Sequence, residues 1–204
     1  MDTLLKIGVL VSGSGTNLQS ILDACARGEL PARVVCVISN KTDAYALERA
    51  KGAGIPALHL DHRAHAGREA YDDALVATLR EFGVELVVMA GFMRIITPVL
   101  LEAFPMSVMN IHPALLPAFP GLHAQRQALE YGAKFAGCTV HFVDAGTDTG
   151  PIIMQAAVPI LEEDTEETLS ARIQKEEHRV YPEAIKLFAQ GLLSVKGRQV
   201  RVSQ

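Results

Sequence analysis

The run Glu85–Ala90 turns apolar at Leu86 and stays apolar to its end, leaving no polar position on either face of a strand. A half-exposed strand alternates polar and apolar residues. A short continuous apolar run instead marks a central strand covered on both sides, as in parallel sheets wrapped by helices. The residues before it carry the matching alternation. Lys6–Val11 is followed by a helix-length Asn17–Arg27, and Arg33–Ser39 by Asp43–Ala53. Pro56–Leu60 then precedes Arg68–Phe82, where Ala70, Ala74, Leu75, Leu79 and Phe82 keep helical spacing. This order predicts an α/β fold with a doubly wound, mostly parallel sheet.

Val108–Ile111, Gly137–Val143 and Ile152–Val158 add strands with little helix between them, which predicts a mixed C-terminal extension of the same sheet. Thr165 to Phe188 predicts a long helix or a broken pair, with Thr165-Glu166-Glu167 as its capped, acid-rich start. Leu193–Val202 reads as a terminal hairpin around Lys196-Gly197. With no Ser- or Gly-rich linker, repeat or low-complexity segment, a single domain over 1–204 is expected.

A net charge of −4 gives no electrostatic footprint for a nucleic acid or a membrane surface. No apolar stretch is long enough to span a bilayer, and the chain enters Lys6–Val11 without a leader-like segment. Cys25, Cys36 and Cys138 are scattered, odd in number and without CxxC spacing, so they read as small buried hydrophobes of a reducing compartment. A cytoplasmic protein is expected.

Directly after the first strand comes Ser12-Gly13-Ser14-Gly15-Thr16-Asn17, where a helix begins. Glycines let the backbone turn tightly and approach a ligand, and the helix start favours an anion. The dinucleotide fingerprint needs a third glycine where Leu18 stands, and the NTPase loop needs Gly-Lys-Ser/Thr. What remains suits one phosphate on backbone amides, with help from Thr16 and Asn17, and a branched side chain at Gly15 would sit where that phosphate rests. An ordinary strand–helix turn capped by Thr16 or Asn17 has the same composition.

Val108-Met109-Asn110-Ile111-His112-Pro113 ends an apolar run in two polar residues that share one strand face. Pro113 keeps His112 extended. If the glycine-flanked Asp148 faces that strand end, its carboxylate favours the protonated imidazole. Cationic His112 beside the Asn110 amide then forms an oxyanion-stabilising pair. With no nucleophile elbow and no cysteine near it, the pattern suits direct transfer of a carbonyl group between two bound substrates. The plainer alternative is a capped sheet edge and a turn aspartate.

His59, His62 and His65 lack the context of a metal site, and none is expected. His123 and His141 could line the site, while His178 falls in the long helix. Met93-Arg94 follows the central strand, at the end where such sheets bind ligands.

Together, residues 11–18 (Val-Ser-Gly-Ser-Gly-Thr-Asn-Leu), Ser39-Asn40-Lys41, Gly91-Phe92-Met93-Arg94-Ile95, Asn110–Pro113, Phe119–His123 and Asp148–Ile152 resemble the phosphoribosylglycinamide formyltransferase family of purine synthesis, over about residues 5 to 190. The resemblance implies a Rossmann-like formyltransferase fold and formyl transfer from 10-formyltetrahydrofolate, a cosubstrate, to the glycyl amine of glycinamide ribonucleotide. It implies Asn110, His112 and Asp148 as catalytic residues, and Gly15, Thr16, Asn17 and Glu177 as ribonucleotide-binding. Arg68 and Met93, Arg94, Ile95 and Ile96, with Asn110, fall on the folate side. The partners implied are those two substrates, in a monomer or homodimer with no metal, nucleic acid or membrane. Ala118 departs from the family, whose members often carry Lys there. Formyltetrahydrofolate hydrolase and methionyl-tRNA formyltransferase share the Asn-x-His…Asp core but carry, respectively, an N-terminal regulatory and a C-terminal RNA-binding domain.

Overall fold

Ile7 to Val11, the inner part of β1 (Leu5–Val11), are buried without a break, as a strand with helices on both faces requires. The computed structural model describes residues 4–203. Residues 1–3 and 204, the ends of the expected single domain, lie outside them. The described residues form two compact units, divided between Asn110 and Ile111.

In the first unit, β1 leads through Gly15 into α1 (Thr16–Ala26), then β2 (Ala32–Ser39), α2 (Tyr45–Gly52), the short β3 (Ala57–His59) and α3 (Arg68–Glu81). β4 (Leu86–Met89), α4 (Pro98–Ala103) and β5 (Val108–His112) complete it, with the last two residues of β5 opening the second unit. Every strand pairing here is parallel, in the order β3-β2-β1-β4-β5. A Cβ on Gly8 would come within 2.6 Å of Leu79 on α3, so the glycine lets that helix lie close on β1. Strand order reverses between β1 and β4, and the loops leaving their carboxyl ends flank the crevice where such sheets take ligands.

The second unit contains α5 (Ala124–Tyr131), β6 (Phe135–Phe142), β7 (Ile152–Pro159), α6 (Glu166–Ala189), β8 (Leu193–Lys196) and β9 (Gln199–Val202). β6 and β7 are antiparallel, β7 meets β9 in parallel at Ile152, and β8–β9 is the expected hairpin. The α/β fold with a mostly parallel sheet and a mixed C-terminal part is therefore present.

Thr165 to Phe188 is one helix rather than a broken pair. Its capping box joins Thr165 and Thr168, and Pro182 lies inside it. A mid-helix proline typically costs about 3 kcal/mol. Burial of Val180, Tyr181, Ala184 and Ile185 on both sides of the ring holds the helix through it. α4 and α5 lie where little helix was expected; both are too short to show a hydrophobic period, although Pro98 at the start of one and Gly132 after the other are ordinary boundary residues. Among the described residues, no helix is long and apolar enough to cross a membrane.

Candidate active site

β5 delivers His112 in extended conformation, as Pro113 dictates, and buries its ring. The chain beyond it is pinned by Thr139, a buried residue of β6. Its hydroxyl donates to the Ala114 carbonyl at 2.7 Å and accepts the Leu116 N–H at 3.0 Å. This returns the segment so that the Phe119 carbonyl accepts a hydrogen bond from His112 Nε2 at 2.8 Å.

The return from β6 to β7 carries the carboxylate. Asp144 clasps the turn, accepting the Gly146 N–H at 3.1 Å and the Thr149 hydroxyl at 2.6 Å. At the base of the turn, a Cβ on Gly150 would collide with the Phe142 carbonyl oxygen, so only glycine allows this approach. Arg198, in the β8–β9 turn, donates to the Thr149 carbonyl at 2.8 Å. Asp148 is thereby held with φ of 55°, a left-handed conformation that Asp tolerates better than most residues.

Asp148 lies between two histidines. Its Oδ2 accepts the Gly121 N–H at 2.8 Å and lies 3.4 Å from His112 Nδ1, while Oδ1 lies 3.7 Å from His141 Nε2. The expected meeting of Asp148 and His112 is present. His141 was a candidate and is part of the cluster; a register shift in the β6–β7 pairing falls beside it. His123 instead lies exposed as the left-handed N-cap of α5. A pocket of about 320 Å³ opens beside the carboxylate, lined by Leu116, Pro120, Thr147, Asp148, Thr149 and Arg198 among others.

His141 Nδ1 donates to the Phe142 carbonyl at 2.8 Å. Burial holds its pKa below the ordinary value, against the raising effects of that carbonyl and of Asp148; nearby His112 lowers it further. The unfolded chain therefore takes up this proton at higher pH than the folded one. His141 contributes stability above its ordinary pKa of about 6.5, and this is lost as pH falls through the depressed value. Urea midpoints at pH 7.5 and 5.5 check this. The wild type should lose stability on acidification and His141→Gln should lose less; equal losses would count against it.

The glycine loop belongs to the first unit. The N-cap of α1 is Gly15 itself, left-handed with φ of 72° and without a side-chain cap, rather than Thr16 or Asn17. Its Cβ direction also differs from expectation. A side chain there would meet Ala46 of α2 at 2.6 Å, not a ligand.

The segment after β4 is tied down at both ends. Ser12 Oγ donates to Asn40 Oδ1 at 2.6 Å and accepts the Met93 N–H at 2.8 Å, which gives Asn40 in the Ser-Asn-Lys motif a role. At the other end, buried Asp72 accepts the Thr97 N–H and hydroxyl at 2.6 and 2.8 Å; burial raises its pKa. Between these anchors Met93 and Ile95 are exposed and Ile96 is buried, with the Arg94 guanidinium 5.8 Å from the Tyr71 ring centroid. Arg68 is exposed at the start of α3, and Glu177 is on the buried stripe of α6.

The cysteines offer no nucleophile. Burial pushes Cys25 up to about 11 and Cys36 and Cys138 to about 12. Among the described residues, no group of three or more His, Cys, Asp or Glu could hold a metal ion.

A family model described as "Formyl transferase" matches residues 5–185. Phosphoribosylglycinamide formyltransferase of Haemophilus influenzae is 46% identical over 191 residues, covering 94% of this chain and 90% of that protein. The trifunctional purine biosynthetic protein adenosine-3 of Drosophila melanogaster is 49% identical over 189 residues, covering 91% of this chain; the match spans only 14% of the fly protein. Among solved structures, glycinamide ribonucleotide transformylase 1 from Symbiobacterium toebii superposes with a TM-score of 0.99 at 60% identity, covering 100% of this chain and 96% of that one.

Proposed function

Because the chain belongs to the formyl transferase family, we propose that it moves the formyl group of 10-formyltetrahydrofolate onto the glycyl amine of glycinamide ribonucleotide, in de novo purine synthesis. The observation that carries this reading is His112, held against Asp148 at 3.4 Å and two residues beyond Asn110 on β5. Its setting is a chain with extensive identity to proteins named for this reaction. The family model runs through both units, which supports one catalytic domain over 1–204.

The neutral amine attacks the formyl carbon, and the new C–N bond leaves negative charge on the formyl oxygen. Asn110 and His112 donate to that oxyanion, a charge present mainly in the transition state. Both ring nitrogens of His112 face acceptors, Phe119 O and Asp148, and an imidazolium has an N–H for each. The oxyanion replaces the Phe119 carbonyl as the acceptor. Collapse of the adduct breaks the bond from the formyl carbon to the folate nitrogen. That nitrogen receives a proton as the amine loses one. No covalent enzyme intermediate is required, in keeping with cysteine thiols whose pKa values are all raised.

In this reading Gly15, Thr16 and Asn17 hold the ribonucleotide phosphate, and Glu177 contacts the ribonucleotide. Met93, Arg94, Ile95 and Ile96 hold the pterin, with Arg68 on the folate side. No metal takes part. Incubation with both substrates should yield formylated ribonucleotide and tetrahydrofolate in equal amounts. Formate release from the folate at the same rate without the ribonucleotide would identify a hydrolase and overturn the proposal.

Gly15→Val probes the phosphate seat. The substitution forces the loop away from Ala46 and from its left-handed conformation. Ribonucleotide affinity should fall about ten- to a hundredfold, the scale of a lost charge-assisted hydrogen bond. Folate affinity should hold, as titration calorimetry will read; an equal fall in both would remove support for the assignment.

A further inference from the structure

The glycine loop is held from behind by α2, whose side-chain donor to it is Arg49. Arg49 Nε donates to the Ser14 carbonyl at 2.8 Å, across 35 positions of sequence, and Nη1 donates to Gln19 Oε1 on α1 at 3.1 Å. Its guanidinium carbon stands 4.9 Å from the Tyr45 ring centroid, a stacking that fixes the plane of the fork. One turn earlier on α2, the Ala46 N–H donates to the Gly13 carbonyl at 3.1 Å. Two successive loop carbonyls, those of Gly13 and Ser14, are thus turned towards α2.

A trans peptide points its carbonyl and its N–H in opposite directions. With both carbonyls drawn to α2, the N–H groups of Ser14 and Gly15 point away from it. Successive N–H groups on one side at a helix start make a concavity that suits an anion.

We propose that Arg49 is a positioning residue for the ribonucleotide: by holding the Ser14 carbonyl it aims the Gly15 amide at the substrate phosphate. This rests on reading the glycine loop as the phosphate seat. Arg49 acts through the backbone. Its planar fork matters as well as its charge, because one group must reach Ser14 O and Gln19 Oε1 together. A lysine supplies the charge but not the fork.

The test uses the full chain with Arg49→Met and Arg49→Lys. Steady-state kinetics should show the ribonucleotide KM raised about tenfold in both variants, the scale of one charge-assisted hydrogen bond. Both kcat and the folate KM should stay within about twofold. Titration with inorganic phosphate should shift the Gly15 amide resonance in the wild type and not in either variant. Wild-type affinity in Arg49→Lys would show that charge alone suffices and overturn the inference, as would an equal loss of folate affinity. A wild type that binds the ribonucleotide no better than either variant does would also overturn it, leaving the functional reading intact. A wild type that binds neither ribonucleotide nor phosphate would overturn the functional reading itself.

Discussion

Asp148→Asn is expected to lower kcat by about two orders of magnitude while moving both Michaelis constants only a few-fold. Asparagine suits the left-handed backbone at this position, where φ is 55°, and keeps an oxygen for the Gly121 N–H. Shape is therefore retained and only the charge facing His112 and His141 is removed. If Asp148 works through His112, the two substitutions must not multiply. His112→Ala should cost at least as much as Asp148→Asn, and the double variant little more than His112→Ala alone. Losses that multiply would mean that Asp148 acts on the substrates or on the loop by itself. Near-normal turnover in Asp148→Asn would remove the carboxylate from the mechanism altogether.

Gly150→Ala is expected to produce the largest stability loss of any single methyl added to this chain near the site. The added carbon has no room: it would overlap the Phe142 carbonyl oxygen and approach the Asp144 nitrogen at 3.3 Å, all of it backbone. Relief requires opening the base of the turn, where the Phe142 N–H donates to the Pro151 carbonyl at 2.9 Å. Overpacking against a fixed backbone costs about 3 kcal/mol or more, which lowers the melting temperature by roughly 6–12 °C in a chain of this size. Asp148 would leave its place at the same time, so activity should fall with stability. Gly28→Ala is the control. It has nothing within 4 Å and differs only by a φ of 71°, so it should cost about 1–2 kcal/mol. Equal melting temperatures for the two variants would show that the turn is looser than its geometry implies.

The parts of this site that could be read from the sequence depend on local covalent and periodic constraints. Pro113 fixes the backbone of His112, and period two places Asn110 on the same strand face. The unbroken apolar run at Leu86–Ala90 implies its helical cover. Asp148 was readable through its glycine neighbours, but its meeting with His112 followed only on the condition that its turn faces the end of β5, which the 3.4 Å separation meets. What could not be read is the long-range hydrogen bonding that tightens these pieces. Thr139, Arg49, Asp72 and Arg198 look like ordinary residues of a strand, two helices and a hairpin. Their backbone partners lie 23 or more positions away, at carbonyls or amides like those along the rest of the chain. A backbone acceptor leaves no mark on composition. The left-handed N-cap at Gly15 went unread for a different reason: the side of the loop where a Cβ would stand is closed by Ala46, a feature of helix packing and not of the loop's own sequence.

The Phe119 carbonyl is a tethered rival for anything that reaches for the His112 Nε2 proton. It is present on every molecule and delivered at the high local concentration that a seven-residue tether provides. A compound aimed at His112 therefore binds only the fraction of molecules in which the carbonyl has swung away, and its apparent affinity is reduced by that fraction. A ligand that merely accepts from the imidazole gains one hydrogen bond and strands the displaced carbonyl. A ligand presenting a hydroxyl can accept from the ring and donate to that carbonyl together. For inhibitor chemistry, the backbone at Phe119 is as much a target as the side chain of His112.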